Sequence, residues 1–454
     1  MLSNNLMSYC LNFFVYVKII MMNLDTAIDT FLSPIADKIS GIIFSSVTIH
    51  GVKIEFLVAL LMFAAFYFTF RTRFIGVWGF KHALQLITKN YEHKDIRVKK
   101  KKGEVSSFQA LTATISASAG IGNVAGSAAA VSIGGPGVIF WMIMAGVFSM
   151  ALKFAEVLLG LKFRKVNPDG TIAGGPMYYI EGALKNNKYI GKFAPHLSKI
   201  YAICCVFAMI GGWNLFQINA MTTQITEVTG GENSFFANQS WLLGLIVAVI
   251  TYFTIIGGIK AIGKFTSKVT PVMCTLYVMT AFAVCLYNIG HVPHTVMMIL
   301  REAFEPRAMA GGMFACMLWG FRRAMFANES GLGTAPIAFS AVKTNNAVAQ
   351  AFIAMLQPFV DTVIVGSATA FVIVVSGEYL HTSGIAGIEL TSKAFGSVCP
   401  FFPILLTFMA SCFVLSTMLC GSYYGIKAWN YLFGETKLTT RTFQVIYCIF
   451  IIIG

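Results

Sequence analysis

The stretch SASAGIGNVAGSAAA, Ser116 to Ala130, decides what kind of protein this is. Its Gly120-x-Gly122-x-x-Ala125 has the spacing of a dinucleotide-binding turn. Such a turn needs a strand before it, a helix after it, and an acidic residue about twenty positions on to hold the ribose hydroxyl. No Asp or Glu occurs between Glu104 and Glu156. The preceding FQALTATIS does not alternate as a strand does, and it belongs to a nearly charge-free run of about 27 residues, long enough to cross a bilayer. The nucleotide reading fails on both grounds. A membrane helix with Gly120, Gly122, Asn123 and Gly126 at its centre remains.

Two readings fit such a helix. Gly122-x-x-x-Gly126 can serve as a close-packing face for a neighbouring helix. Alternatively the helix is broken there, and a break survives in lipid only where the freed amides and carbonyls meet a ligand, an ion or buried protein, because an unpaired polar group costs several kcal/mol. Freed amides suit a carboxylate and freed carbonyls suit sodium. A second segment favours the break: SGLGTAPIAFSAV, Ser330 to Val342, echoes AGIGNVAGSAAAV, Ala119 to Val131, with Gly-x-Gly and the closing Ala-Val in register. Interrupted segments at matching positions of two halves point to an inverted-repeat secondary transporter.

The composition agrees with a polytopic membrane chain. Of 454 residues, 57% are hydrophobic and 11% charged, and the mean hydropathy is +0.73. Apolar windows give spans near 54–70, 108–131, 137–161, 200–224, 241–259, 269–288, 308–327, 347–376 and 400–425, with another starting at 442. Of the 33 Lys and Arg, 26 fall in alternate gaps: ten in 71–107, seven in 162–199, and three each in 259–268, 322–343 and 427–441. The positive-inside rule makes those gaps cytoplasmic. The net charge of +14 therefore reflects membrane topology and no nucleic-acid partner. The run RVKKKKGE at 97–104 needs no role beyond a juxtamembrane anchor.

Ten cysteines form no CxxC pair and read as small buried hydrophobes. The first twenty residues lack a small-residue cleavage site, so no signal peptide is expected, and Met21 or Met22 is a plausible natural start. Seven scattered histidines, with no HExxH and no nucleophile elbow, speak against a membrane enzyme. A channel stays open as a reading, since channels and carriers both use intramembrane polar groups.

At GIGNVAG with IGGPGVIFWM, and at MALKFAEVLLGLKFR, GGPMYYI, RRAMFANESGLGTAPIAFSAVKT and FVDTVIVGSATAFVI, the chain resembles the alanine or glycine:cation symporter family, from about 108 to 431. The resemblance implies an all-α LeuT-like fold of two five-helix inverted repeats with broken first and sixth core helices. It also implies sodium-coupled symport of a small neutral amino acid across the bacterial inner membrane, with no cofactor. The implied organisation is an N-terminal segment (1–53), a peripheral transmembrane helix with a basic loop (54–107), a first repeat (108–288) and a second repeat (308–454). That second repeat is expected to be incomplete, since the sequence stops about 14 residues into its last span. A proton-coupled carrier and a non-transporting truncated product are the alternatives.

The resemblance also implies a site. One sodium is expected among backbone carbonyls near Ser116 and Ala119 and the hydroxyls of Ser416 and Thr417 in CFVLSTMLCGSYYG. The substrate carboxylate is expected at freed amides near Ser118, Gly120 and Gly122, with Asn123 adding its side-chain amide. GGWNLFQINAMTTQ offers Asn214 and Gln217, three apart and so on one helix face. Asp361, mid-span, is a second cation or proton site by default. Lys153 and Glu156 are expected to pair, and Glu329, beside Arg322 and Arg323, to belong to a cytoplasmic gate. The sequence departs from the family at Ile121, where a hydroxyl residue is usual, and at Cys420 and Gly421, where many members have a bulky aromatic. The second departure implies a widened pocket that admits substrates as large as glutamine.

Overall fold

The computed structural model describes residues 36–49, 52–88, 103–167, 170–237, 239–305, 312–381 and 387–454, with 30, 33 and 34. The expectations for the first 22 residues, and for the basic run up to residue 102, lie outside the described residues. The chain divides into two units, 1–60 and 61–454. The first carries an antiparallel hairpin of β1 (Ser46–Ile49) and β2 (Val52–Glu55).

The second unit is almost wholly helical. In chain order its main elements are α1 (Phe56–Arg71, entered at Leu61), α2 (Ser107–Ser118), α3 (Ile121–Gly134), α4 (Val138–Lys162), α5 (Gly191–Val228) and α6 (Ser240–Ile255). There follow α7 (Gly258–Tyr287), α8 (Gly312–Asn328), α9 (Thr334–Ser340), α10 (Ala347–Val375), α11 (Phe402–Phe433) and α12 (Lys437–Ile453). Among the described residues α4, α5, α7, α10 and α11 are long and apolar enough to cross a bilayer. A small hairpin, β3 (Lys165–Val166) with β4 (Ile172–Ala173), follows α4.

Both interruptions read from the sequence are present. Helix α2 begins with a reciprocal cap, in which the Gln109 amide N–H bonds the Ser106 hydroxyl and the Ser106 N–H bonds the Gln109 side chain. It ends at Ser118. Gly120 is extended, and α3 resumes at Ile121. The second break runs from Glu329 to Gly333, where Glu329, Gly331 and Gly333 have φ of 56°, 87° and 80°. Glycine takes that left-handed backbone at no steric cost, whereas Glu329 needs its neighbours to hold it there.

Two features of the charge map need correction. The basic stretch 259–268, expected to be a loop, is the start of α7: Lys260, Lys264 and Lys268 recur every four residues on its exposed face, while Ile259, Ile262 and Thr266 face inward. Window averaging mistakes such a charged stripe for a gap. Likewise Arg322 and Arg323 lie within α8.

The ends of the two broken helices are tied together on the side of the basic loops. The Glu104 N–H donates to the Ala341 carbonyl at 2.7 Å and the Lys343 N–H to the Val105 carbonyl at 2.9 Å. The Arg164 guanidinium caps the end of α9, donating to the carbonyls of Ser340, Val342 and Thr344 at 2.7–2.9 Å. Ser340 is the last residue of α9, where a helix leaves its carbonyls unpaired, and Val342 and Thr344 belong to the chain that leaves it.

Candidate functional site

At the first break the Thr417 hydroxyl of α11 donates to the Ser116 carbonyl at 2.7 Å, and both residues are buried. The Ser116 hydroxyl lies 2.5 Å from that of Thr270 in α7. Ser416 donates to Phe413 of its own helix at 2.9 Å. Gly120 lets these elements meet: a Cβ there would stand 2.9 Å from the Gln217 amide and 3.0 Å from Thr417 Oγ1. The freed Ile121 N–H donates to Gln217 Oε1 at 3.2 Å, so one amide expected for a ligand is capped by α5. Gly122, by contrast, has nothing within 4 Å of its would-be Cβ.

Asn214 is not with Gln217. Its amide donates to the Tyr447 carbonyl of α12 at 2.8 Å. The cause is the π-helical stretch Gly211–Leu215 inside α5, whose wider turn removes the facing that a spacing of three implies in an α-helix. Gly421 also departs from expectation. A Cβ there would be 2.7 Å from Trp213 Cβ and 3.2 Å from the Tyr447 hydroxyl, so the space beside it is filled. The aromatic missing from α11 is supplied from α5.

A second cluster joins both breaks to α10. Asp361, fully buried, accepts from the Ser118 hydroxyl and, at 2.8 Å, from Gln357 Nε2. Gln357 Nε2 also reaches the Ser118 hydroxyl at 2.7 Å and the Asn328 carbonyl at 2.9 Å. Asp361 Oδ1 and Gln357 Oε1 are buried acceptors with no partner among the described residues. An acceptor-rich pocket of carboxylate, amide and hydroxyl oxygens is the donor set a hard cation takes.

The second break is held by charge. The Glu156 carboxylate accepts from the Gly331 and Gly333 N–H groups at 3.0 and 3.3 Å and pairs with Lys153 at 2.7 Å. Lys153 also reaches the Glu329 carbonyl at 3.2 Å. The Glu329 carboxylate accepts from the Trp213 indole at 3.1 Å and from the Thr334 hydroxyl. Arg323, six residues before Glu329, donates to the Gly122 carbonyl and the Asn123 side chain at the first break.

The structure thus joins Ser116, Thr417, Gly120 and Gln217 in one locus, and Ser118 with Asp361 in another. Sequence reasoning missed Thr270, Gln357, Asn328, Trp213 and Arg323. Gln357 was findable, since it lies four residues before Asp361 on the same face of an apolar helix. Trp213 carried no signal, because its contact with Gly421 spans more than two hundred residues.

The chain matches the family described as "Sodium:alanine symporter family" over residues 40–454. It is 34% identical over 382 residues to the sodium/alanine symporter AgcS of Methanococcus maripaludis, covering 84% of this chain and 81% of that one. It is 31% identical over 390 residues to GlnT of Bacillus subtilis, described as a probable sodium/glutamine symporter, covering 85% and 74%. A crystal structure of MhsT in complex with L-phenylalanine superposes with a TM-score of 0.57 at 13% identity, covering 77% of this chain and 80% of that one, a likeness of fold.

Proposed function

The chain belongs to the sodium:alanine symporter family and is a multi-pass, cation-coupled amino acid transporter, not an enzyme; from this premise we propose that it imports alanine or glycine with sodium across a bacterial inner membrane. The observation that carries the reading is the approach of the Thr417 hydroxyl to the Ser116 carbonyl at the first break, where α2 has run out of amides to bond its last carbonyls. A sodium ion there takes oxygens from Ser116, Ala119 and Thr417, with Ser416 able to add a lone pair while keeping its bond to Phe413. Asp361 with Ser118 and Gln357 forms a second cation site, its unpartnered Oδ1 serving as the ligand. The amino acid lies against the open face of Gly122, bounded by Asn123 and Gln217. Residues 108–288 and 308–454 are the two repeats that move about it.

Trp213 in the space beside Gly421 favours a small side chain over glutamine, the substrate in the name of the Bacillus relative. A proton in place of the second cation is the alternative reading, favoured by the burial of Asp361 among neutral groups. Isotopic uptake of glycine, alanine, glutamine and phenylalanine into proteoliposomes, with sodium and proton gradients imposed separately, tests the assignment. Sodium should drive saturable uptake of the two smallest. Uptake driven by pH alone overturns the ion, a preference for glutamine overturns the substrate, and a linear voltage-driven current would indicate a channel.

A further inference from the structure

Arg323 lies eleven residues beyond Gly312, roughly 16 Å along α8 and five residues before its end at Asn328. Room for it is made by Gly126 of α3, where a Cβ would stand 2.7 Å from the guanidinium carbon. Its Nη2 donates to the Gly122 carbonyl at 2.6 Å and to Asn123 Oδ1 at 2.9 Å. Both acceptors are neutral. Among the described residues no carboxylate lies within 4.0 Å of it, whereas Lys153, the other cation near the breaks, pairs with Glu156. A guanidinium with a buried, unbonded nitrogen is costly unless something balances it.

Two buried donors here, Arg323 Nε and Asn123 Nδ2, lack partners among the described residues, and Asn123 is only 1% exposed. Next to Asn123 lies the open face of Gly122. A cation, two unpaired donors and an open space at one end of the first break call for a planar anion with two acceptor oxygens, the shape a guanidinium holds best. The amide of Ile121 is already bonded to Gln217 and does not compete for it. We propose that Arg323, with Asn123 Nδ2, binds the α-carboxylate of the transported amino acid, making a free carboxylate the feature that selects the substrate. This rests on the amino acid symport proposed above. The buried charges of opposite sign, Asp361, Glu156 and Glu329, bond groups of the other clusters and leave Arg323 to the substrate.

The test compares alanine with alaninamide, which lacks the carboxylate charge, as competitors of sodium-driven alanine uptake, in chloride and in methanesulfonate. The parent should prefer alanine, and Arg323→Gln should reduce that preference about 10- to 100-fold while leaving the sodium dependence of residual uptake unchanged, with Arg323→Lys recovering part of it. An equal fall for both ligands would make Arg323 a structural donor to Gly122 and overturn the proposal. Loss of parent uptake on removing chloride would assign the site to an inorganic anion and overturn it too. Should Arg323→Gln not fold, thermal stabilisation of the parent decides: alanine should stabilise it and alaninamide should not, and equal stabilisation refutes the proposal. Absence of sodium-driven alanine uptake by the parent would instead refute the symport reading, so the two failures are distinct.

Discussion

Thr417→Val removes one hydroxyl and nearly preserves shape, so its effects isolate the oxygen that meets the Ser116 carbonyl at 2.7 Å. Without sodium, the change leaves a buried carbonyl unpaired, a cost of about 1–3 kcal/mol in stability. With sodium, it removes one ligand of a bound ion, and a contact to a charge is worth about 1.5–3 kcal/mol, equivalent to a 10- to 100-fold rise in the sodium concentration for half-maximal alanine uptake. Ser416→Ala is the control: its hydroxyl already bonds Phe413 in its own helix, so the sodium curve should move only a few-fold. The assay is a sodium titration of alanine uptake in proteoliposomes, paired with thermal unfolding in detergent with and without sodium. An ion that binds only the folded state raises the parent's melting temperature, and the valine variant should lose most of that rise. If Thr417→Val is destabilised yet keeps the parent's half-saturating sodium and sodium-induced stabilisation, the hydroxyl is a packing group and the ion lies elsewhere.

Asp361→Asn keeps the acceptor for Ser118 and Gln357 but removes the charge; charge moved per alanine, read from currents and isotopic flux together, should fall, and an unchanged ratio removes Asp361 from coupling. Trp213→Ala empties the space against Gly421, so the ratio of glutamine to alanine uptake should rise about tenfold, the scale of a few methylene groups in an apolar pocket; a constant ratio would make the indole a strut only. Gly421→Ala drives a Cβ to 2.7 Å from Trp213 and should cost about 1–3 kcal/mol by thermal unfolding. Glu156→Gln strands Lys153 in the interior and loosens the Gly331 and Gly333 amides, costing about 3–5 kcal/mol; adding Lys153→Met should recover much of it, and a single variant as stable as the parent contradicts the role given to this pair.

Membrane class and both breaks were legible because each has a local cause: apolar runs long enough to cross a bilayer, Gly-x-Gly in the middle of them, and a repeat of the pattern two hundred residues on. The meeting of Thr417 with Ser116 followed from the family resemblance and not from any local feature of the sequence. The failures were non-local or depended on helix type. Asn214 turns away because five residues of α5 are wound more loosely, which spacing alone does not reveal. Gly421 reads as a hole until Trp213 is seen in it. Arg323 was counted with the cytoplasmic charges because the basic gap was taken from residue 322, although the apolar window there runs to 327 and α8 continues to Asn328. Lys260, Lys264 and Lys268 were lost to the same averaging.

The central claim is coupling to sodium, and the most direct measurement is alanine accumulation by the reconstituted full chain at a fixed membrane potential, with sodium or choline outside. One inward sodium ion gains about 2.3 kcal/mol from 100 mV and about 1.4 kcal/mol from a tenfold gradient, enough to concentrate a neutral solute several-hundred-fold. Accumulation should therefore approach that level in sodium, collapse in choline, and rise with an inside-negative potential. Accumulation unchanged in choline and responsive only to pH would contradict the account.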